Sequence, residues 1–312
     1  MYSRFKALGN YGEDELEKLQ DSTVAVIGLG ATGSVIAEHL ARHGVKLVLI
    51  DRDYLEPNDC YSSNLYTPKE CEKHVPKAEA AAKKLGDHTQ TESKVTSLNP
   101  ENIGVLDGVD LIVDGTDNME TRLLINEYSK KNNVPWIYTA ALGEKGYSML
   151  FDENCFNCVF EDISPGTVGT CETDGILREV STIAGSVSAR KAVEYLTDKS
   201  PEQCLYGVHM DRKLEVESSG CEVCNRENFP HLESQSKVSS VCGKNKYEIR
   251  REIPASGFER IKQSGERIEE NKYLVRAVIN GKEFVAFRSG RAIIEAEDEG
   301  HAEELFAEVI GL

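Results

Sequence analysis

A doubly wound, mostly parallel α/β sheet followed by a small C-terminal α+β domain is the fold this sequence predicts. Three observations carry that prediction. Short apolar runs alternate with helical stretches through the first half of the chain, as in a parallel sheet covered on both faces. The first run enters a glycine-rich turn and then a helix. A polar stretch beginning near residue 229 separates this pattern from β-rich runs near the end. With 312 residues, a two-domain chain is the starting expectation. The boundaries expected are 1–228 for the first domain, 229–245 for a linker and 246–312 for the second domain.

The elements follow in order. Residues 13–20 (EDELEKLQ) read as a short amphipathic helix that Asp21-Ser22 ends. Thr23 to Ile27 is a continuous apolar run of the buried-strand type. Gly28-Leu29-Gly30-Ala31-Thr32-Gly33 follows, then a helix from Ser34 to His43 that Gly44 stops. A second apolar strand, Lys46 to Ile50, ends at Asp51. Strand, glycine turn, helix, strand and acid in this order form a nucleotide-site pattern. Gly28, Gly30 and Gly33 would let backbone approach a phosphate, and the helix N-terminus would offer free N–H groups and a positive dipole end. Asp51 would hold ribose hydroxyls, with Asp53 in support. The structural alternative is tight helix–strand packing alone.

Pro76 to Leu85 reads as a helix with proline at its start. Val109 to Val113 reads as a strand running into Asp114-Gly115-Thr116-Asp117-Asn118. Glu120 to Asn132 follows as a helix and Pro135 to Thr139 as a strand. Beyond the linker, Lys272–Ile279 and Lys282–Arg288 flank Asn280-Gly281, a strong hairpin signal. Ala292 to Glu295 adds a strand and Glu299 to Val309 an acidic helix. No internal repeat is found.

Thirty-six basic against fifty-three acidic residues give a net charge of −17. Such a surface repels phosphate backbones and anionic lipid, so neither nucleic acid nor a membrane is an expected partner. No apolar run approaches the ~20 residues of a spanning helix, and MYSRFKALGNYGEDELEKL has no apolar signal core. A cytoplasmic protein is expected. Nine cysteines are present. Cys155-x-x-Cys158 and Cys221-x-x-Cys224 make a four-thiolate set suited to tetrahedral structural Zn²⁺, with no open position for catalysis. Cys60, Cys71, Cys204 and Cys242 lack partner spacing and read as structural. The seven histidines are scattered and form no triad.

Several stretches, in order, resemble the ThiF/MoeB/HesA family, which is similar to the ubiquitin-activating enzymes. They are Tyr2-Ser3-Arg4, the glycine turn Val26 to Ser34, Pro76-Lys77-Ala78-Glu79, Asp114 to Arg122, Ala140-Ala141-Leu142-Gly143, Thr170-Cys171 and the two CxxC pairs. The resemblance spans roughly residues 1–227 and implies a Rossmann-like adenylation domain with a zinc knuckle. It implies ATP- and Mg²⁺-dependent adenylation of the C-terminal glycine of a small ubiquitin-like sulfur carrier ending in Gly-Gly. It also implies a homodimer and a sulfur donor. The pathway stays open among thiamine, molybdopterin, tRNA thiolation and protein modification.

By the same resemblance, Asp117 handles Mg²⁺ at the phosphates, although an N-cap is its structural alternative. Lys77 is matched to a phosphate lysine. A lysine at a helix start has the wrong sign for the dipole, which favours a functional reason. Arg4 is matched to an arginine that reaches phosphates from a neighbouring subunit. Asn118, Arg122 and Asn126 are matched to nucleotide-site support. Cys171 is matched to a cysteine that in some members links covalently to the activated carrier, and residues 161–179 would form a crossover over the site.

The chain departs from the family pattern E-x-S-N-L-x-R-Q. A gapless match of Glu56 to Ser63 puts Asp59 at the asparagine and Ser62 at the arginine. Anchoring on Ser63-Asn64-Leu65 still supplies no arginine. Lys69, Lys73 and Arg52 are candidate replacements for the missing cation. A non-catalytic scaffold that binds carrier, and more remotely an NAD-dependent oxidoreductase, are the alternative readings. The C-terminal domain resembles an extra domain of some members, including the Gly290 to Ile294 segment.

Overall fold

The computed structural model describes residues 2–63, 65–160, 175–209, 212–214, 220–234, 238–241 and 245–311. Two compact units divide the chain, Met1–Ser234 and Gln235–Leu312.

The first unit is built on an eight-stranded sheet. Its strands are β1 (Thr23–Ile27), β2 (Lys46–Ile50), β3 (Thr91–Lys94), β4 (Leu111–Asp114), β5 (Trp136–Leu142), β6 (Lys145–Phe151), β7 (Leu205–Gly207) and β8 (Arg212–Leu214), in the order β3-β2-β1-β4-β5-β6-β7-β8. The pairs among β1 to β5 are parallel, and β5 through β8 pair antiparallel. Side chains of β1 alternate between two cores. Val24 and Val26 join Ile36, Leu40, Ala78, Ala81 and Ala192 on one face. Ala25 and Ile27 join Leu124, Ile125, Trp136 and Phe156 on the other. A strand buried on both faces is apolar throughout, which is why Thr23 to Ile27 shows no alternation in sequence.

Helices Gly33–Arg42, Lys77–Leu85 and Met119–Asn132 start within a residue of their sequence expectations. Helix Arg178–Leu196 has 19 residues and no clear apolar stripe, because its buried positions are mainly Ser181, Ala184, Gly185, Ser188, Ala189 and Ala192. Inside 229–245, whose polar composition reads as linker, lie helix Pro230–Glu233 and strand β9 (Val238–Val241). The helix is tied to its unit by a hydrogen bond from the Leu232 amide to Glu127 at 2.9 Å, a long-range contact that composition cannot reveal.

The second unit is a fully antiparallel sheet of β9, β10 (Lys246–Ile249), β11 (Glu266–Glu270), β12 (Leu274–Ile279), β13 (Lys282–Phe287) and β14 (Arg291–Glu295), in the order β11-β12-β13-β14-β10-β9. Asn280 and Gly281 join β12 to β13 with φ of 53° and 76°, the left-handed pair that a two-residue hairpin demands. Helices Ala255–Ser264 and Glu299–Ile310 share one core with the sheet through Phe258, Ile261, Phe306 and Val309.

Candidate functional site

The strand order reverses direction between β1 and β4, and the carboxyl ends of such strands are where open α/β sheets place ligands. The glycine turn leaves β1 there. Gly28 has φ +81°, and a Cβ on it would meet the Gly115 carbonyl at 2.9 Å. A Cβ on Gly33 would lie 1.8 Å from the Gly28 oxygen. The turn is therefore packed backbone to backbone against the loop after β4. A Cβ on Gly30 would meet nothing within 4 Å, so this residue faces open space at the start of helix Gly33–Arg42. From behind, Gly185 holds the same helix start, since a Cβ there would come within 2.9 Å of the Thr32 oxygen.

Asp51 follows β2 and is buried. Its Oδ2 accepts the Leu29 amide at 2.6 Å and its Oδ1 accepts the Asp53 amide at 2.7 Å. Each oxygen keeps a further lone pair for a donor such as a hydroxyl. Burial pushes the carboxyl up to about 6, against the pull of Lys77. The Lys77 amide donates to the Asp53 carbonyl at 2.8 Å, and its Nζ pairs with Asp59 Oδ1 at 2.9 Å. Burial alone would lower the lysine, but Asp59, Asp53 and Asp51 outweigh it and hold the ammonium charged. Of the candidate replacement cations, Arg52 stands 3.9 Å from Asp53, while Lys69 and Lys73 are exposed.

The loop after β4 is braced from below. Asp114, wholly buried, accepts the Thr116 amide at 2.8 Å, the Thr116 hydroxyl at 2.6 Å and Arg122 Nε at 2.9 Å. Arg122 is buried too. It also donates to the carbonyls of Thr116 and Thr139, and its guanidinium lies 4.9 Å from the Tyr138 ring centre. Its donors are directed at Asp114, at the loop carbonyl of Thr116 and at β5, so it braces the turn that carries Asp117. The cap of helix Met119–Asn132 is Asn118, whose Oδ1 accepts the Thr121 amide at 3.0 Å. Asp117 is left exposed on the loop.

Two turns further along that helix, Asn126 faces elsewhere. Its Nδ2 donates to Cys155 Sγ at 3.3 Å and to Asn157 Oδ1 at 2.9 Å, and its Oδ1 accepts the Phe156 amide at 3.0 Å. Cys155, Cys158, Cys221 and Cys224 bring their sulfurs within 4.8 Å of one another, with separations of 3.7, 3.5 and 3.7 Å among the closest pairs. Tetrahedral zinc with Zn–S of about 2.3 Å sets sulfurs about 3.8 Å apart, so the donor set fits that ion. Glu127, fully buried beside Asn126, pairs with His231 Nδ1 at 2.7 Å.

Glycine turn, Asp51, Asp53, Lys77 and the Asp117 loop thus gather at one strand end. Arg4 does not join them. It is exposed on helix Ser3–Lys6, where Phe5 packs 5.2 Å from the His43 ring. His43 caps the far end of the ten-residue helix Gly33–Arg42, about 15 Å from the turn. Cys171, Asn64, Cys242 and most of the expected crossover lie outside the described residues. Just after them, Gly175 and Leu177 exchange backbone hydrogen bonds with Gly143 at 2.9 and 2.8 Å. Asp114, Gly115 and Gly185 carry no role in the sequence reading. Asp114 opens the matched stretch Asp114–Arg122, but the bracing role of a strand's last residue, like that of a glycine inside a helix, shows only once its neighbours are known.

The model of the ThiF family matches residues 2–223. The "Sulfur carrier protein ThiS adenylyltransferase" of Bacillus subtilis (strain 168) is 30% identical, over 99% of this chain and 99% of its own length. The "SAMP-activating enzyme E1" of Haloferax volcanii is 28% identical, over 77% of this chain and 93% of that protein. Among solved structures, E. coli MccB crystallised with ATP superposes with a TM-score of 0.57 at 17% identity, covering 67% of this chain and 69% of that one. That likeness is one of fold.

Proposed function

The chain belongs to the ThiF family, and from that premise we propose that it adenylates the C-terminal glycine of a ubiquitin-like sulfur carrier ending in Gly-Gly. The observation that carries the reading is the meeting of an open glycine turn, Asp51, Lys77 and the Asp117 loop at the carboxyl ends of β1, β2 and β4. The relatives' names supply the reaction class and the carrier class.

In this reading the turn Gly28–Gly33 admits the phosphates and Asp51 accepts the ribose hydroxyls, with Asp53 holding both Asp51 and Lys77 in place. Lys77 places its charge at the phosphates. The carrier carboxylate attacks the α-phosphorus, the bond to the pyrophosphate oxygen breaks, pyrophosphate departs, and the carrier remains as its acyl-adenylate. Asp117 and neighbouring oxygens would hold Mg²⁺, which neutralises charge on the departing pyrophosphate. Asn118 and Arg122 fix the loop. The four cysteines would hold Zn²⁺ for stability.

Arg4 sits a helix length from its own glycine turn, which supports completion of the site by the arginine of a second copy. Transfer of the acyl group to Cys171, or to a separate sulfur donor, would follow adenylation.

ATP–pyrophosphate exchange with a panel of Gly-Gly carriers tests the proposal. Exchange should depend on carrier and on Mg²⁺, and Asp117→Ala should lower it about 100-fold or more. Because Asp117 is exposed, this variant should fold normally. Silence with every carrier, from folded and zinc-loaded protein, would leave a carrier-binding scaffold as the better account.

A further inference from the structure

Lys77 is the phosphate lysine of the reading above, and the inference drawn here rests on that assignment. The lysine does not point an unpaired charge into the site. Its Nζ is held by Asp59 Oδ1 at 2.9 Å, and both side chains are largely buried, at 13% and 14% exposure. Asp59 is itself fixed, because its Oδ2 accepts the Glu56 amide at 2.8 Å. The short helix that begins at Asp59 is moored at its other end, where Ser63 Oγ bonds to Ser34 Oγ at 2.8 Å.

Asp51 and Asp53 act on the same ammonium. Asp51 has both oxygens on backbone amides, and Arg52 stands beside Asp53. Asp59 is the carboxylate in direct contact with Lys77. Three carboxylates around one ammonium present net negative charge to an incoming triphosphate. Phosphate oxygens would compete with Asp59 for the same charge, since Asp59 takes one of the three ammonium donors and its carboxylate repels a second anion brought to the other two.

We propose that Asp59 is a positioning residue that latches Lys77 in the nucleotide-free protein, so that nucleotide binding must exchange the Asp59 carboxylate for phosphate oxygens. The latch keeps the lysine ordered and charged, and sets a threshold that favours a highly charged nucleotide with its metal over weaker anions.

Asp59→Asn is close to isosteric and keeps an oxygen for the Glu56 amide, so folding should be retained. The measurement is calorimetric affinity for AMPCPP with Mg²⁺, without carrier, for the wild type, Asp59→Asn, Lys77→Met and the double variant. Asp59→Asn should bind the nucleotide at least fivefold tighter than the wild type. In the Lys77→Met background the same change should give little gain. An equal gain in both backgrounds would mean plain charge repulsion and would overturn the latch. Unchanged or weaker binding by folded Asp59→Asn would overturn it as well. Carrier-dependent exchange by the wild type is a separate readout, so the latch can fail while the adenylation reading stands. Absence of binding by all four proteins would overturn the latch, and absence of carrier-dependent exchange as well would remove the adenylation reading with it.

Discussion

Asp51 can accept a ribose hydroxyl fully only as a carboxylate, and its burial makes that state pH-dependent. Its value of about 6 in the fold lies above the free 3.8. The folded chain therefore holds a proton that the unfolded chain has lost between about 4 and 6, and stability falls as pH rises through that window. Nucleotide binding should run the other way. Affinity for a fluorescent ATP analogue should climb several-fold from about pH 5 to 6.5 and then level off. In Asp51→Asn the curve should be flat over that range. A slope of the same size in the variant would remove Asp51 from the ribose site. At this scale the sequence was informative where an acid directly follows a strand in a recognised pattern, as Asp51 follows β2. It was silent on Asp114, whose acceptors are directed at Thr116 and Arg122. It also left Asn126 on the wrong partner. Spacing of four from Arg122 says the two share a helix face, but not that the face turns from the nucleotide loop to Cys155 within one turn.

The glycine turn is the element where two similar residues have opposite tolerances. Gly30→Ala adds a methyl group to open space at an ordinary φ. Thermal stability should stay within about 0.5 kcal/mol of wild type, while nucleotide affinity falls because the methyl group stands where phosphate approaches. Gly33→Ala puts the methyl group 1.8 Å from a backbone oxygen, which cannot step aside. A loss of more than about 3 kcal/mol is expected. Melting curves read beside nucleotide titrations separate the two, and equal destabilisation by both would contradict the packing described. Sequence gave this element and its order readily, since the apolar run, glycines and following acid are local. It did not give helix Arg178–Leu196, which presents Gly185 to the turn. A helix that buries serines, alanines and glycine lacks the 3.6-residue apolar stripe that sequence reading depends on.

At the scale of the whole molecule, the cysteine cluster joins segments far apart in the chain and connects through Phe156 to a built-in probe. Trp136 is the chain's single tryptophan. It is fully buried, stacked on Phe151 at 5.0 Å and against Phe156 at 5.5 Å. Phe156 follows Cys155, a zinc-ligand candidate. A metal bound a thousandfold above its Kd stabilises the fold by about 4 kcal/mol. Chelation should therefore lower the melting temperature, shift Trp136 emission to the red, and release one zinc per chain to a colorimetric indicator. The second unit has its own core, so its melting should be little affected. Zinc-free protein with unchanged Trp136 emission and melting would show that the thiols need no ion. Among the described residues no helix is long and apolar enough to cross a membrane. By itself the sequence determined the alternating strands and helices, the glycine turn with its acid, the hairpin at Asn280-Gly281 and the two CxxC pairs. Each of these is written in neighbouring residues as a period, a backbone requirement or a fixed spacing. Only the tertiary structure decided which groups meet. It set Lys77 against Asp59, Asp114 beneath the loop, Asn126 at the cysteine sulfur and Arg4 away from its own turn. Those pairings depend on how distant segments pack, and no local pattern encodes them.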